Sequence, residues 1–227
     1  MRTFDIVICG FGGQGVITVG NLFKLAALKE GISVSGAEKR GGAQREGGVT
    51  SHVRYCVWEK GDTFDERRMT RSGLIPSGKA DMLVAFEPLE AVRHSNYLHP
   101  RSVVVLNTEP SPPTLVRMKK YDYPPLEDLL SILKEFTPLV FPFNLNELSR
   151  DYFQDFLHVS VISLGLAVAL AEIPIAKERF LEVLQERYPN FESNQKAFDL
   201  GLRLAHSAQR ESLGWAVQNK NVRGGSE

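Results

Sequence analysis

Cysteine is scarce in this chain: only two occur in 227 residues, Cys9 inside an apolar run and Cys56 near the end of another. Two are too few for a disulfide framework, and an iron–sulfur cluster held by one chain wants about four thiolates. Net charge is lacking as well. Lys plus Arg and Asp plus Glu both number 27, so no excess of one sign favours nucleic acid or a membrane surface, and the expected partners are small molecules or proteins. Long apolar runs are missing too: the most apolar later segment, Val161 to Ala171, is about half the length that spans a bilayer. The opening MRTFDIV has an acid where a secretory signal needs its apolar stretch, and it reads as a strand. The expectation is a soluble protein of a reducing cytoplasm. Familiar catalytic spacings are also absent. No Gly-x-x-x-x-Gly-Lys-[Ser/Thr] P-loop occurs, and His52, His94, His99, His158 and His206 are scattered without metal-ligand spacing. No paired-carboxylate or Ser/His/Asp constellation emerges, so no catalytic and no metal residue is assigned.

What is present is enough apolar residue, 43% of the chain, to bury a full core in one large domain. Phe4 to Cys9 is a short apolar run before glycines, as in a buried parallel strand. Val16, Val19, Phe23, Ala26 and Ala27 then recur at helical spacing up to a stop at Gly31. Ile32 to Ser35 is a second strand, which makes the opening a βαβ unit. Gly36 to Gly48, GAEKRGGAQREGG, has no large apolar side chain and is expected to be a loop. Val49 to Trp58 alternates like a strand, and Asp81 to Glu87 and Ser102 to Asn107 are buried-strand candidates on either side of a short helix opened by Pro88. After a Pro-rich connection, Leu126, Leu129, Leu130, Leu133 and Phe136 form a helical stripe, and Leu139 to Phe143 a last strand. From Asn144 the pattern is wholly helical. The expected architecture is α/β: a Rossmann-like open, mostly parallel sheet with flanking helices and a helical C-terminal third. Residues 1–210 are expected to form the domain and 211–227 a polar tail that frays or docks on a partner.

Two glycine-rich stretches carry the functional signal. GFGGQG, Gly10 to Gly15, places backbone N–H groups and the positive end of a helix dipole where an anion can lie. A dinucleotide site also needs an acid at the end of the second strand, about 20 positions on. The first one, Glu38, lies already in the expected loop. Turn geometry and helix packing alone also account for the glycines, but Gln14, a poor N-cap by type, points to a ligand or a neighbouring subunit. The second stretch sets Lys39, Arg40 and Arg45 among five glycines. Forked guanidinium donors suit phosphates and carboxylates, and that glycine density fits a backbone threaded against a cofactor or another chain better than a solvated loop. His52 reads as a satisfied sheet residue. Glu87 and Asn107, at the ends of buried strands, are secondary pocket candidates.

ICGFGGQGVIT together with GAEKRGGAQREGGVTSHVR resembles the gamma-type subunit or domain of the 2-oxoacid:ferredoxin oxidoreductases, and is closest to the beta subunit of indolepyruvate:ferredoxin oxidoreductase. The C-terminal NQKAFDLG, Asn194 to Gly201, is similar to the ending of that group, and the likeness spans roughly residues 1 to 205. The resemblance implies a subunit of an enzyme that oxidatively decarboxylates a 2-oxo acid to an acyl-CoA and passes electrons to ferredoxin. Coenzyme A would be the cosubstrate. Thiamine diphosphate, Mg and the 4Fe-4S clusters would sit on larger partner subunits, leaving this chain to complete the site and probed alone to be inactive. It further implies that Gly12, Gly13, Gln14 and Gly15 form a cofactor-facing turn, and that Arg40, Gln44, Arg45, Gly47 and Gly48 face the active site or a subunit contact. Lys39 and Arg40 are more basic than the group's pattern, so phenylglyoxylate or a branched-chain 2-oxo acid stays open beside indolepyruvate. A free-standing Rossmann-type nucleotide- or CoA-binding protein, or a small regulatory module, is the alternative.

Overall fold

The computed structural model describes residues 1–41, 47–58, 62, 72–112, 118 and 122–223. Its centre is β1 (Arg2–Phe11), whose side chains alternate between two apolar layers. Phe4, Ile6 and Ile8 enter one layer, while Val7 and Cys9 enter the other. β1 pairs in parallel with β4 (Met82–Ala85). β5 (Val103–Asn107) and β6 (Val140–Phe143) continue outward in the same direction. Every residue of β4 and β5 is buried, which is why those segments read as unbroken apolar runs.

On the other side of β1 the chain departs from a βαβ unit. After α1 (Val16–Glu30), β2 (Ser33–Arg40) runs in the direction of β1 but does not touch it. β3 (Gly48–Val57) lies between them, antiparallel to both, so the sheet order is β2-β3-β1-β4-β5-β6. Gly36 to Arg40, expected to be loop, are the second half of β2, paired in register from Gly36↔Val53 to Arg40↔Val49. Their polar character had concealed this. β2 is an edge strand, largely exposed along that half, and polar side chains are what an edge tolerates and what keeps it from pairing with another chain. Gly31 ends α1 in the left-handed region, φ 77°, with Ile32 N–H bonded back to Ala27 O at 2.9 Å.

Helices cover both faces. α2 (Pro88–Arg93) and α3 (Leu126–Phe136) lie on the Val7 face, with Ala91, Leu133 and Leu83 in contact. The Ile6 face carries α1 and the C-terminal helices: α4 (Leu145–Phe153), α5 (Val159–Leu170), α6 (Lys177–Arg187) and α7 (Phe191–Arg223). Phe23, Phe180 and Phe198 stack through this layer, the first pair edge to face at 5.8 Å. α5 and α7 cross backbone to backbone. A Cβ on Gly165 would fall 2.2 Å from Phe198 O, and one on Gly201 2.3 Å from Ile162 O. The glycine of the C-terminal motif thus sits where only a missing side chain allows the crossing. Among the described residues, no helix is long and apolar enough to cross a membrane.

Candidate functional site

The GFGGQG turn links β1 to α1 at the carboxyl edge of the sheet. Gly13 and Gly15 take φ 95° and 88°, a region that L side chains rarely enter. Gly15 is the N-cap of α1, with no side-chain cap, and it presses on α5: an added Cβ would lie 2.0 Å from Ser160 Oγ. Nothing lies within 4 Å of the position a Cβ would take at Gly13, so that glycine leaves open space. Gln14 folds back on the turn. Its Oε1 accepts from Phe11 N–H at 2.7 Å, and its own N–H bonds Phe11 O at 3.2 Å. The glutamine therefore holds the turn's shape while it lines the adjoining cleft.

The structure brings part of the second glycine-rich stretch to this turn. Gly12 N–H donates to Gly47 O at 3.3 Å, and Gly41 N–H to Gly48 O at 2.8 Å, closing the β2–β3 hairpin beside the end of β1. A Cβ on Gly48 would approach the buried Glu90 carboxylate at 2.9 Å, so glycine lets α2 close down on the hairpin. Arg40 ends β2 with its side chain 66% exposed and paired to Glu38 at 3.2 Å. It is not in the wall of the cleft. Gln44 and Arg45 lie outside the described residues.

The cleft beside the turn has a volume of about 590 Å³. Gly13, Gln14, Gly15 and Thr18 form one wall, Phe86 and Asn107 its floor at the ends of β4 and β5, and 155–160 with 188–190 the opposite wall. This is the carboxyl edge of an open parallel sheet, where such folds place ligands. The N-terminal ends of α1, α5 and α7 meet here, so backbone N–H groups converge on it from several sides. Asn107 belongs to the floor as expected: its Nδ2 donates to Asn146 Oδ1 at 2.9 Å and its Oδ1 accepts from Leu145 N–H at 2.9 Å, fixing the start of α4. Glu87 does not. Its carboxylate caps α2 through Glu90 N–H at 2.8 Å and accepts from Tyr123 Oη. Burial raises its pKa, against the lowering effect of those hydrogen bonds.

The sequence showed no Ser/His/Asp grouping, yet the fold builds one on Asp155 and His158 of the far wall, with Ser193, which does not line the cleft, as its third member. Asp155 Oδ1 is 2.8 Å from His158 Nδ1, and His158 Nε2 is 2.8 Å from Ser193 Oγ. Asp155 and His158 are three positions apart, a readable spacing, but Ser193 comes from α7, 35 residues on, and only the fold joins it.

The Ser-His-x-Arg strand serves the sheet instead. His52 is fully buried, its Nδ1 accepting from Ile75 N–H at 3.3 Å while Nε2 has no hydrogen-bond partner, so it is only half satisfied. Desolvation above all, then Lys39, His94 and Arg54, lowers its pKa from 6.5 to about 4. Arg54 grips Asp5 on β1 with two bonds, 2.9 and 3.0 Å, and also donates to Leu74 O at 3.1 Å. Even so, burial pushes the Asp5 carboxyl above its usual range, outweighing the opposing pull of Arg54.

A six-stranded, mostly parallel α/β sheet with a glycine turn over a carboxyl-edge cleft defines the class: a Rossmann-like binding fold. Residues 5–204 match the family described as pyruvate ferredoxin/flavodoxin oxidoreductase, and the chain belongs to that family. It is 35% identical over 208 residues to the indolepyruvate oxidoreductase subunit IorB of Pyrococcus horikoshii, covering 90% of this chain and 97% of that one. Among solved structures it is similar to the gamma subunit of a keto/oxoacid ferredoxin oxidoreductase from Geobacter sulfurreducens, with a TM-score of 0.61 at 21% identity, covering 90% of this chain and 99% of that one. It is also similar to the 2-oxoglutarate:ferredoxin oxidoreductase of Magnetococcus marinus with 2-oxoglutarate, coenzyme A and succinyl-CoA bound. That TM-score is 0.64 at 18% identity, over 91% of this chain and 32% of the larger one. At these identities the two structures establish the fold.

Proposed function

We propose that this chain is the site-completing subunit of a thiamine-diphosphate-dependent 2-oxoacid:ferredoxin oxidoreductase acting on indolepyruvate or a related aryl 2-oxo acid. In this reading the complex oxidatively decarboxylates its substrate, forms an acyl-CoA, and passes electrons to ferredoxin. The observation that carries it is the meeting of the two motifs: Gly12 N–H on Gly47 O joins the hairpin to the glycine turn, and the turn lines the cleft. The relative of 35% identity, named as a subunit, supports assembly with larger chains. Thiamine diphosphate, Mg and the iron–sulfur clusters belong to those partners, and Cys9 and Cys56, both buried here, are left as core side chains.

Coenzyme A is the cosubstrate in this reading. A second cavity of about 530 Å³ adjoins the cleft through Thr18 and Tyr188 and is bordered by Lys24 and Arg187, cations suited to phosphate groups. The glycine turn Gly12 to Gly15, with Gly47 and Gly48 behind it, offers backbone to the ligand or to the partner chain. In this reading Arg40, Gln44 and Arg45 face the active site or a subunit contact. A free-standing nucleotide-binding protein makes a different prediction. NAD(P) or FAD at a hundredfold its dissociation constant would stabilise the chain by about 2.7 kcal/mol. The expected result is no thermal shift with either at millimolar concentration, while a pull-down from the native source recovers a larger chain that binds thiamine diphosphate. A shift with NAD(P) or FAD, and no large partner, would overturn the reading.

A further inference from the structure

The stretch that closes α4 and opens α5 leaves large apolar side chains in solvent. Tyr152 is 62% exposed, Phe156 59% and Leu157 82%, all within six residues. Elsewhere among the described residues, the exposed large apolar side chains stand at least seven positions apart. Single exposed apolar residues are ordinary, but three together mark a contact surface. The group is not the loose end of a frayed turn. Asp155 Oδ1 accepts from Leu157 N–H at 2.9 Å and from His158 Nδ1 at 2.8 Å, and His158 Nε2 reaches Ser193 Oγ on α7 at 2.8 Å. Phe153 stacks on that imidazole with centroids 4.3 Å apart, and the Tyr152 ring lies 6.5 Å from that of Phe153. Gln154 takes φ 61°, the one positive φ outside glycine among the described residues. The polar members of the stretch thus fasten it to the fold while the apolar ones face outward, and a surface held in shape loses little entropy on binding.

Position and charge decide what covers it. Phe156 and Leu157 also line the cleft, so they stand at its rim, and whatever covers them closes it. A second copy meeting this one through the same patch would shut two clefts against each other and keep out the chain that carries the thiamine. An anionic membrane surface would favour basic residues around the apolar ones, yet Glu147, Asp151 and Asp155 outnumber Arg150 across 145–158. An apolar protein surface bordered by Lys or Arg is the complementary match.

We propose that Tyr152, Phe156 and Leu157 form the face that docks on the larger, thiamine-binding chain, entering an apolar surface edged with basic side chains and closing the cleft between the two. This rests on the functional reading above and adds to it which surface makes the contact.

The test uses the purified complex, its partner being the chain whose co-expression restores 2-oxo-acid-dependent dye reduction. Sedimentation on progressive dilution gives the dissociation constant. Tyr152→Gln and Leu157→Gln are each expected to raise it at least about tenfold, as loss of a central interface side chain does. Leu28→Gln, at a similarly exposed site on α1, should leave it unchanged. The lone variant chains should keep the wild-type thermal midpoint, since all three side chains stand in solvent. In the complex, Tyr152→p-benzoylphenylalanine should photocrosslink to the larger chain. A wild-type dissociation constant in both patch variants would overturn the docking face while leaving the functional reading intact. Crosslinking to a second copy of this chain, binding to phosphatidylglycerol vesicles that Leu157→Gln abolishes, or a lowered midpoint in the lone patch variants would overturn it as well. If no larger chain restores dye reduction, the functional reading falls, and the docking face with it.

Discussion

Gly13 and Gly15 stand two residues apart with the same sign of φ, yet a side chain would do different things at each. Alanine at Gly15 drives a Cβ to 2.0 Å from Ser160 Oγ as well as straining the backbone, and overpacking of that kind costs about 1–3 kcal/mol. Alanine at Gly13 meets open space and bears only the left-handed strain, about 1 kcal/mol. Urea unfolding of the two variants should rank them in that order. His52 supplies a pH test. Its folded pKa of about 4 lies below the unfolded 6.5, so the unfolded chain binds the extra proton first as pH falls. The stability is therefore fully present above 6.5 and is lost on the way down through 4. On the order of 3 kcal/mol of the stability lost between pH 7 and pH 4 should disappear when His52 is replaced by Phe. An unchanged slope in denaturant midpoints would contradict this. The glycine turn was legible because its spacing is local, and Asn107 because buried strands end at the ligand edge. The Asp155–His158–Ser193 chain was not, since no sequence pattern carries the distance from the start of α5 to the first turn of α7.

At the scale of elements, the hairpin is where pattern and structure part. Apolar periodicity located β1, β4, β5 and the C-terminal helices, because both faces of a central strand and the inner stripe of a helix must be apolar. It could not locate the end of β2. Gly36 to Arg40 are polar because they lie at an edge, and polar residues among glycines read as loop. Apart from the ladder, β3 is tied to β1 by the Arg54–Asp5 pair and by the stacking of Phe4 on Tyr55. Arg54→Ala leaves Asp5 buried and unpartnered and is expected to cost about 3–5 kcal/mol, read as a lower denaturant midpoint. The α5–α7 crossing gives a second test. Gly201→Ala sets a Cβ 2.3 Å from Ile162 O, against rigid backbone, and should destabilise by at least about 1–3 kcal/mol.

For the whole molecule, the cleft is bounded by three helix N-termini and a glycine turn, and among the described residues its charged or titratable lining groups are Asp155, His158 and Tyr188. Family membership over residues 5–204 places the chain among the pyruvate ferredoxin/flavodoxin oxidoreductases. In the proposed function this chain works only with a larger thiamine-binding partner. The most direct measurement is 2-oxo-acid-dependent dye reduction by the purified chain alone and after co-expression with that partner. The expected result is no activity from the lone chain and thiamine-dependent, coenzyme-A-dependent turnover from the pair; turnover by the lone chain would contradict the proposed function.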